Sequence, residues 1–386
     1  MLAQSNFPVT EGFVMRFSMI VAAISFTGLA ATASLAQSRS DALRDLLSFV
    51  PLSVVAGPQS PDLEFADLIA AARVMAQPAS GGSDAFRGPY RALYRAQPSM
   101  FYDAMQPAQI EQWPALMGFA WDDVEATLML ARSPQRLRLV SLSDKAVPGV
   151  WPALLAAGYA EGIIAETPAL IRGDEDFAID IEGRNPADPF GGNLGQSSRL
   201  VMFENTLVQA PDRGMLEAVL ARGPAMTDDP EIAAMLDALD DPNLGREPLV
   251  RATFLFSAAQ VPFAVSAGVP EWRIALLADI SGADMDTTVL IIAYDDPETA
   301  ARAADAVSIA WRDLPSVVTG KSMAQLRGND LITWVTGPFT GPDDGPSVMI
   351  AILSEPAEAL NGIVRNATAN AIQQAYMMRD LGFLAP

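Results

Sequence analysis

Apolar residues recur along this chain with two periods, one helical and one of strands. In "SRSDALRDLLSFV" the residues Leu43, Leu46, Leu47 and Val50 fall at three-and-four spacing, which predicts an amphipathic helix. "PLSVVAGPQSP" interrupts it as a connector. Ser60 and Pro61 then read as an N-cap and first helical position, with Asp62 and Glu64 in the first turn and Phe65, Leu68, Ile69 and Ala72 on one face. Residues 79–113, rich in Gly, Pro, Tyr and Arg, predict short helices and loops. "WDDVEATLMLA" predicts another helix, with Asp122 and Asp123 near its positive end.

From there the two-residue period takes over. "RLRLVSLS" alternates as a half-buried strand does, and "VPGVWPALLAAG" follows as a helix that Gly158 stops. "EGIIAETPALIRG" and "FAIDIEG" predict strands, the latter with Asp180 and Glu182 on one side and Ile179 and Ile181 on the other. "RLVMFENTLVQAP" predicts a strand or hairpin, and "DRGMLEAVLARG" and "DDPEIAAMLDAL" two helices, the second capped by Asp229 with Pro230 first inside. "DDPNLGREP" has the polar, Pro/Gly-rich character of a boundary. Beyond it "LVRATFLFSA", "WRIALLADI" and "TTVLIIAYD" predict strands. "DPETAARAADAVSIAWRDL" predicts a helix capped by Asp296, with Glu298 placed to pair with Arg302. "DLITWVTGPF" and "PSVMIAILS" predict an antiparallel pair, and residues 357–381 a closing helix.

The resulting expectation is an α+β fold. It has a helical N-terminal region over residues 37–120, a first lobe over 121–242 and a second over 243–386, each lobe a mixed or antiparallel sheet with packed helices. Both lobes place strands around helices launched by acidic-Pro turns, which suggests an internal duplication. The order "GFAWDDVEATLMLARSP", "ALLAAGYAEG", "RLVMFENTLVQAP" and "MTDDPEIAAMLDAL" resembles secreted bacterial proteins of unknown function that carry duplicated α/β modules, over roughly Met117 to the C-terminus. That resemblance implies a fold and a cellular address but no activity.

The same address follows from the start of the chain. "MRFSMIVAAISFTGLAATASLAQS" has a basic residue, Arg16, then an apolar segment, then Ser34 and Ala36 ahead of a cut between Ala36 and Gln37. A spanning helix needs ~20 strongly apolar residues, whereas Ser25, Thr27, Gly28, Thr32 and Ser34 dilute this one. A cleaved signal peptide is expected, with translation starting at Met1 or at Met15. The mature product is expected to be periplasmic or extracellular, with no stable membrane anchor after cleavage.

Composition narrows the chemistry. With 50% hydrophobic and 18% charged residues the chain can bury a core, and its net charge of -21 disfavours nucleic acid as a partner. The sequence has no Cys and no His, which removes thiolate chemistry, imidazole bases and the commonest zinc and haem ligands. No cofactor is expected. Carboxylates, hydroxyls, Arg and two lysines, Lys145 and Lys321, remain.

Three groups of residues stand out. Asp174, Asp176, Asp180 and Glu182 form an acidic cluster in "RGDEDFAIDIEG", of the kind a hard cation takes, yet without the EF-hand spacing and its closing Glu; a solvated hairpin edge is the preferred reading. Tyr90, Tyr94 and Tyr102 belong to an aromatic-rich stretch that suits either an interaction surface or the core. Asp279, Asp284 and Asp286, expected on a loop between two strands, offer carboxylates for glycoside chemistry, which needs no His. "PFGGNLGQSS", "TGKS" and "SLSDK" each fail the motif they mimic. The preferred function is a non-enzymatic envelope protein that binds another envelope protein or a small ligand. The alternative is a carboxylate-dependent hydrolase acting on glycans.

Overall fold

The computed structural model describes residues 38–55, 61–76, 89–256, 266–282, 284–338, 345–357, 359–360, 363–364, 366–378 and 380–386. The signal segment and its cut at Ala36 and Gln37 lie outside them, as does the expected N-cap Ser60.

The fold is mixed α+β, and its centre is one twelve-stranded sheet. The strands are β1 (Asp62–Asp67), β2 (Val124–Arg132), β3 (Gln135–Leu142), β4 (Ala160–Ile164), β5 (Thr167–Arg172), β6 (Ser198–Phe203), β7 (Thr206–Ala210), β8 (Leu249–Phe256), β9 (Ile274–Ser281), β10 (Met285–Tyr294), β11 (Ile332–Thr336) and β12 (Ser347–Pro356). Their order is β11-β12-β10-β9-β8-β1-β2-β3-β7-β6-β5-β4. Neighbours are antiparallel throughout. Outward from the β8–β1 pair the two sides run in matching order, β1-β2-β3-β7-β6 on one and β8-β9-β10-β12-β11 on the other.

Period-two alternation sends β1 residues Leu63 and Phe65 to one face and Glu64 and Ala66 to the other. The first face carries one core across the whole sheet, from Leu128 and Leu130 through Leu276 to Ile291 and Ile350. The helices Asp41–Leu47, Arg213–Leu220 and Pro230–Leu239 cover it. Asp229 caps the last of these through Glu231 and Ile232 N–H, with Pro230 first inside, as the sequence predicts. The opposite face carries two separate cores. One packs under the helices Leu68–Ala76, Arg91–Ala96 and Val147–Ala156, the other under Pro297–Asp313 and Ala367–Met377. Among the described residues no helix is long and apolar enough to cross a membrane.

Several expectations need correction. The helix expected from Ser60 through Ala72 is strand β1 up to Asp67, and only then the helix Leu68–Ala76. β1 bonds to β2 on one edge and to β8 on the other, so two ladders of tertiary hydrogen bonds outweigh a local cap signal. Residues 37–120 are therefore not a helical region apart, because β1 sits at the middle of the sheet. "WDDVEATLMLA" makes a single 3-10 turn, Trp121–Asp123, and then β2, in which Ala126, Leu128 and Leu130 alternate into the core. "FAIDIEG" forms only an isolated bridge at Ile179, with both isoleucines exposed. The closing helix is shorter than expected, Ala367–Met377, and begins where the Asn366 side chain accepts from Ala369 N–H.

One close approach sets a sharp test of packing. Gly118 ends the helix Trp113–Met117 with φ +78°, and the Cβ of an alanine there would fall onto the Gly149 carbonyl of the neighbouring helix. The left-handed backbone and the lack of space both oppose a side chain. We expect Gly118→Ala to lower unfolding free energy by about 2 kcal/mol. A urea midpoint equal to that of the parent would show that the two helices can part freely.

Candidate functional site

A concavity of about 1070 Å³ lies across one end of the sheet. Antiparallel pairing brings to that end the last residue of β1 (Asp67), the start of β2 (Glu125, Ala126), Ser141 of β3, Thr206 of β7, Leu249 of β8 and Ser281 of β9. The groove therefore draws on strands from both sides of the β8–β1 pair. The helices Asp41–Leu47 and Leu68–Ala76 form its flanks, contributing Asp45 and Arg73. Register shifts between Val124 and Ala126 in β2, and between Leu249 and Arg251 in β8, fall at this end. Such bulges re-aim side chains at sheet rims. Glu125, at the first of them, accepts from Ser141 Oγ at 3.4 Å.

One wall is the "DDPNLGREP" segment, expected as a boundary and found instead as a pinned corner. Arg39 donates to the carbonyls of Leu239, Gly245 and Glu247, which occupies its guanidinium. Asp240 accepts from Ser38 Oγ and Ser40 Oγ, each at 2.6 Å, and from Ser40 N–H at 3.1 Å. Arg44 reaches Asp237 at 2.7 Å. Among the described residues Arg73, by contrast, makes no ion pair, and Arg246 engages only through its backbone N–H. The lining thus offers two guanidinium groups without an ion pair among the described residues, carboxylates at Asp45 and Glu125, and hydroxyls at Ser141 and Thr206. Burial pushes the Asp67 carboxyl up to about 6, against the opposing pull of Ala70 N–H and Arg73. Its Oδ1 accepts from Ala70 N–H at 2.7 Å, capping the helix that follows.

Beneath the groove, Ser281 leads into a buried network between the two cores of that face. Arg95, from the helix Arg91–Ala96, holds Asp279 by two bonds of 2.6 and 3.0 Å. It also donates to Ser281 Oγ and lies 3.9 Å from Asp286. Ser281 Oγ touches both carboxylates, Asp279 at 3.0 Å and Asp286 at 2.6 Å. Asn366 donates to Asp279 at 3.0 Å and accepts from Thr288 at 2.8 Å. Close by, Arg327 pairs with Glu355 at 2.5 Å. Burial alone raises Asp279, but Arg95 outweighs it and holds the carboxyl below its usual range. For Asp286 burial wins, pushing it up to about 6 despite Ser281 and Arg95. Asp279 and Asp286 sit in β9 and β10 rather than on a loop, and their side chains are 5% and 1% exposed, which closes them to a substrate.

Of the other candidates, Asp174 and Asp176 line one concavity of about 500 Å³ with Arg199 and Arg213. Asp176 pairs with Arg199 at 2.9 Å, Asp180 folds back onto Glu182 and Gly183 N–H at 3.1 Å, and Asp174 and Glu182 are exposed. Among the described residues no group of three acidic side chains is placed to hold a metal ion. Tyr90 is half-buried edge-on against Trp121 at 5.9 Å, Tyr94 donates to the Met105 carbonyl at 3.1 Å, and Tyr102 is 77% exposed. Tyr90 and Tyr94 are one turn apart, whereas Tyr102 belongs to the separate 3-10 helix Ser99–Ala104. Arg95, which looks in the sequence like one of several surface arginines beside them, is the residue that reading missed.

No family model and no curated protein matches the chain. Solved structures similar to it include crystal forms I and III of TP0453. Form I has a TM-score of 0.35 and 9% identity over 81% of this chain and 96% of that one. Form III has the same score and identity over 84% and 98%.

Proposed function

We propose that this is a non-enzymatic protein of the cell envelope that holds a polar, charged ligand, either a small molecule or a segment of another envelope protein, in the groove across the strand ends. The observation that carries the reading is the groove itself: about 1070 Å³, built from both sides of the sheet, with groups of both charges on its walls. The signal-like start of the sequence supports an envelope address. The matching strand order on the two sides of β8–β1 supports a duplicated origin for the halves.

Native mass spectrometry of protein purified gently from its own envelope tests both parts. A mass beginning at Gln37 with a bound species supports the proposal, and a full-length mass retaining Met15 removes the address. Once a bound species is in hand, Arg73→Ala and Arg246→Ala should each weaken it about tenfold or more, the loss of a charged hydrogen bond. Undiminished binding in both variants would place the ligand elsewhere.

A second reading has one observation in its favour. Asp67, held near 6, shares the groove with Glu125, and a raised acid beside a second carboxylate is the pairing that glycan hydrolysis uses. Glycan turnover that Asp67→Asn and Glu125→Gln both abolish would replace the binding proposal with this one.

A further inference from the structure

Another concavity lies far along the chain from the groove residues and differs from the groove in chemistry. It occupies about 260 Å³ where the end of the helix Pro297–Asp313 meets the short helix Met323–Arg327 and the helix Ala367–Met377. Leu314, Met323, Leu326, Ala375, Met378 and Phe383 supply an apolar lining. Its two charged lining groups are already engaged, and the remaining amide, Gln374, is exposed. Asp380 accepts from Ser316 Oγ and from the N–H groups of Val317 and Val318, and Arg327 is held by Glu355 and Thr368. What the interior has to offer is therefore mainly apolar surface, since its charged groups already have partners. Around it the protein leaves Val317 69%, Val318 57%, Met377 69% and Met378 52% exposed. Apolar surface gathered in this way on a chain of charge -21 marks a contact site rather than scattered exposure.

The loop "PSVVTGKS" that contributes Pro315, Ser316 and Thr319 to the lining also carries Lys321. Lys321 is exposed, makes no ion pair among the described residues and is one of only two lysines in the chain. An apolar pocket with a cation on its bordering loop fits an amphiphile with one anionic head. We propose that this pocket binds the aliphatic chain of a short carboxylic acid, with Lys321 supplying the countercharge. The volume falls just under the range of about 300–1,000 Å³ usual for drug-sized ligands, so it selects a short chain over a long one.

The test is calorimetric titration of the full-length mature protein with hexanoate, octanoate, decanoate and palmitate below their micellar concentrations. Affinity should rise about fourfold for each methylene buried and then stop rising before palmitate. Ala375→Phe fills the space and should abolish binding. Should that variant fail to fold, Met378→Glu, at an exposed lining position, should weaken binding at least tenfold. Lys321→Ala should weaken octanoate about fivefold while leaving octanol unchanged, which separates the countercharge from the pocket. No binding, affinity independent of chain length, or full affinity in both pocket variants would overturn the proposal. So would adsorption to phosphatidylcholine vesicles without uptake of soluble octanoate, since that outcome belongs to a surface and not to a pocket. Failure here leaves the groove proposal untouched, because Arg73 and Arg246 report on that site alone.

Discussion

Replacing Arg95 with leucine should cost about 3–5 kcal/mol of stability, the usual penalty for breaking one side of a buried ion pair. Arg95 is 1% exposed and faces two carboxylates, bound directly to Asp279 and 3.9 Å from Asp286. Its removal leaves both acids in a site where water cannot replace the lost cation. The neighbours carry the effect outward. Asp279 also accepts from Asn366, whose carbonyl caps the helix Ala367–Met377, and Ser281 lies at the floor of the groove. Equilibrium urea denaturation reads the loss directly. The penalty should shrink as pH falls, because protonating the orphaned acids relieves it. A cost under ~1 kcal/mol would mean that the pair is screened as surface pairs are.

Asp286→Asn should act in the opposite direction and stabilise the protein at about pH 7.5. The folded protein holds this carboxyl near 6, above its ordinary value of 3.8. A raised acid binds its proton more tightly when folded. Its ionisation therefore costs stability above about 6, and the cost fades as pH falls through 6 toward 3.8. The full shift corresponds to ~3 kcal/mol, an upper figure for the gain from the neutral amide. The gap between variant and parent should close by about pH 4. Asp279 has the reverse sign: held low by Arg95, it lends stability that persists above its unfolded value and is lost only at lower pH. Denaturation curves at both pH values decide the matter. A variant less stable than the parent at the higher pH, or a gap that does not change with pH, would show that the Asp286 charge is compensated.

Much of the secondary structure was legible because it rests on local chemistry. Asp229 with Pro230 and Asp296 with Pro297 mark helix starts in the sequence and cap those helices in the fold. Val289 to Tyr294, Val348 to Leu353 and the hairpin from Leu200 to Ala210 read as strands from alternation or unbroken apolar runs. Glu298 and Arg302 meet at 3.3 Å, as one helical turn requires. The sequence also determined what chemistry is absent, since a chain without Cys or His has no thiolate and no imidazole in any fold.

Only the tertiary structure decided the rest. β1 carries helix-start signals in its own residues and is a strand because β2 and β8 bond to both its edges, partners 59 and more positions away. The acidic cluster of Asp174, Asp176, Asp180 and Glu182 is dense in sequence, yet Asp174 and Asp176 line a concavity beside Arg199 and Arg213 while Asp180 folds back onto its own turn. The groove gathers Asp67 and Glu125 from strand ends, Arg73 from a helix and Arg246 from a loop, and nothing in local spacing records the meeting of the distant ones. Arg95 finds Asp279 across 184 positions. Local periodicity encodes which face of an element is apolar, but the pairing of distant polar groups depends on strand order, and strand order is set by the packing of the whole sheet.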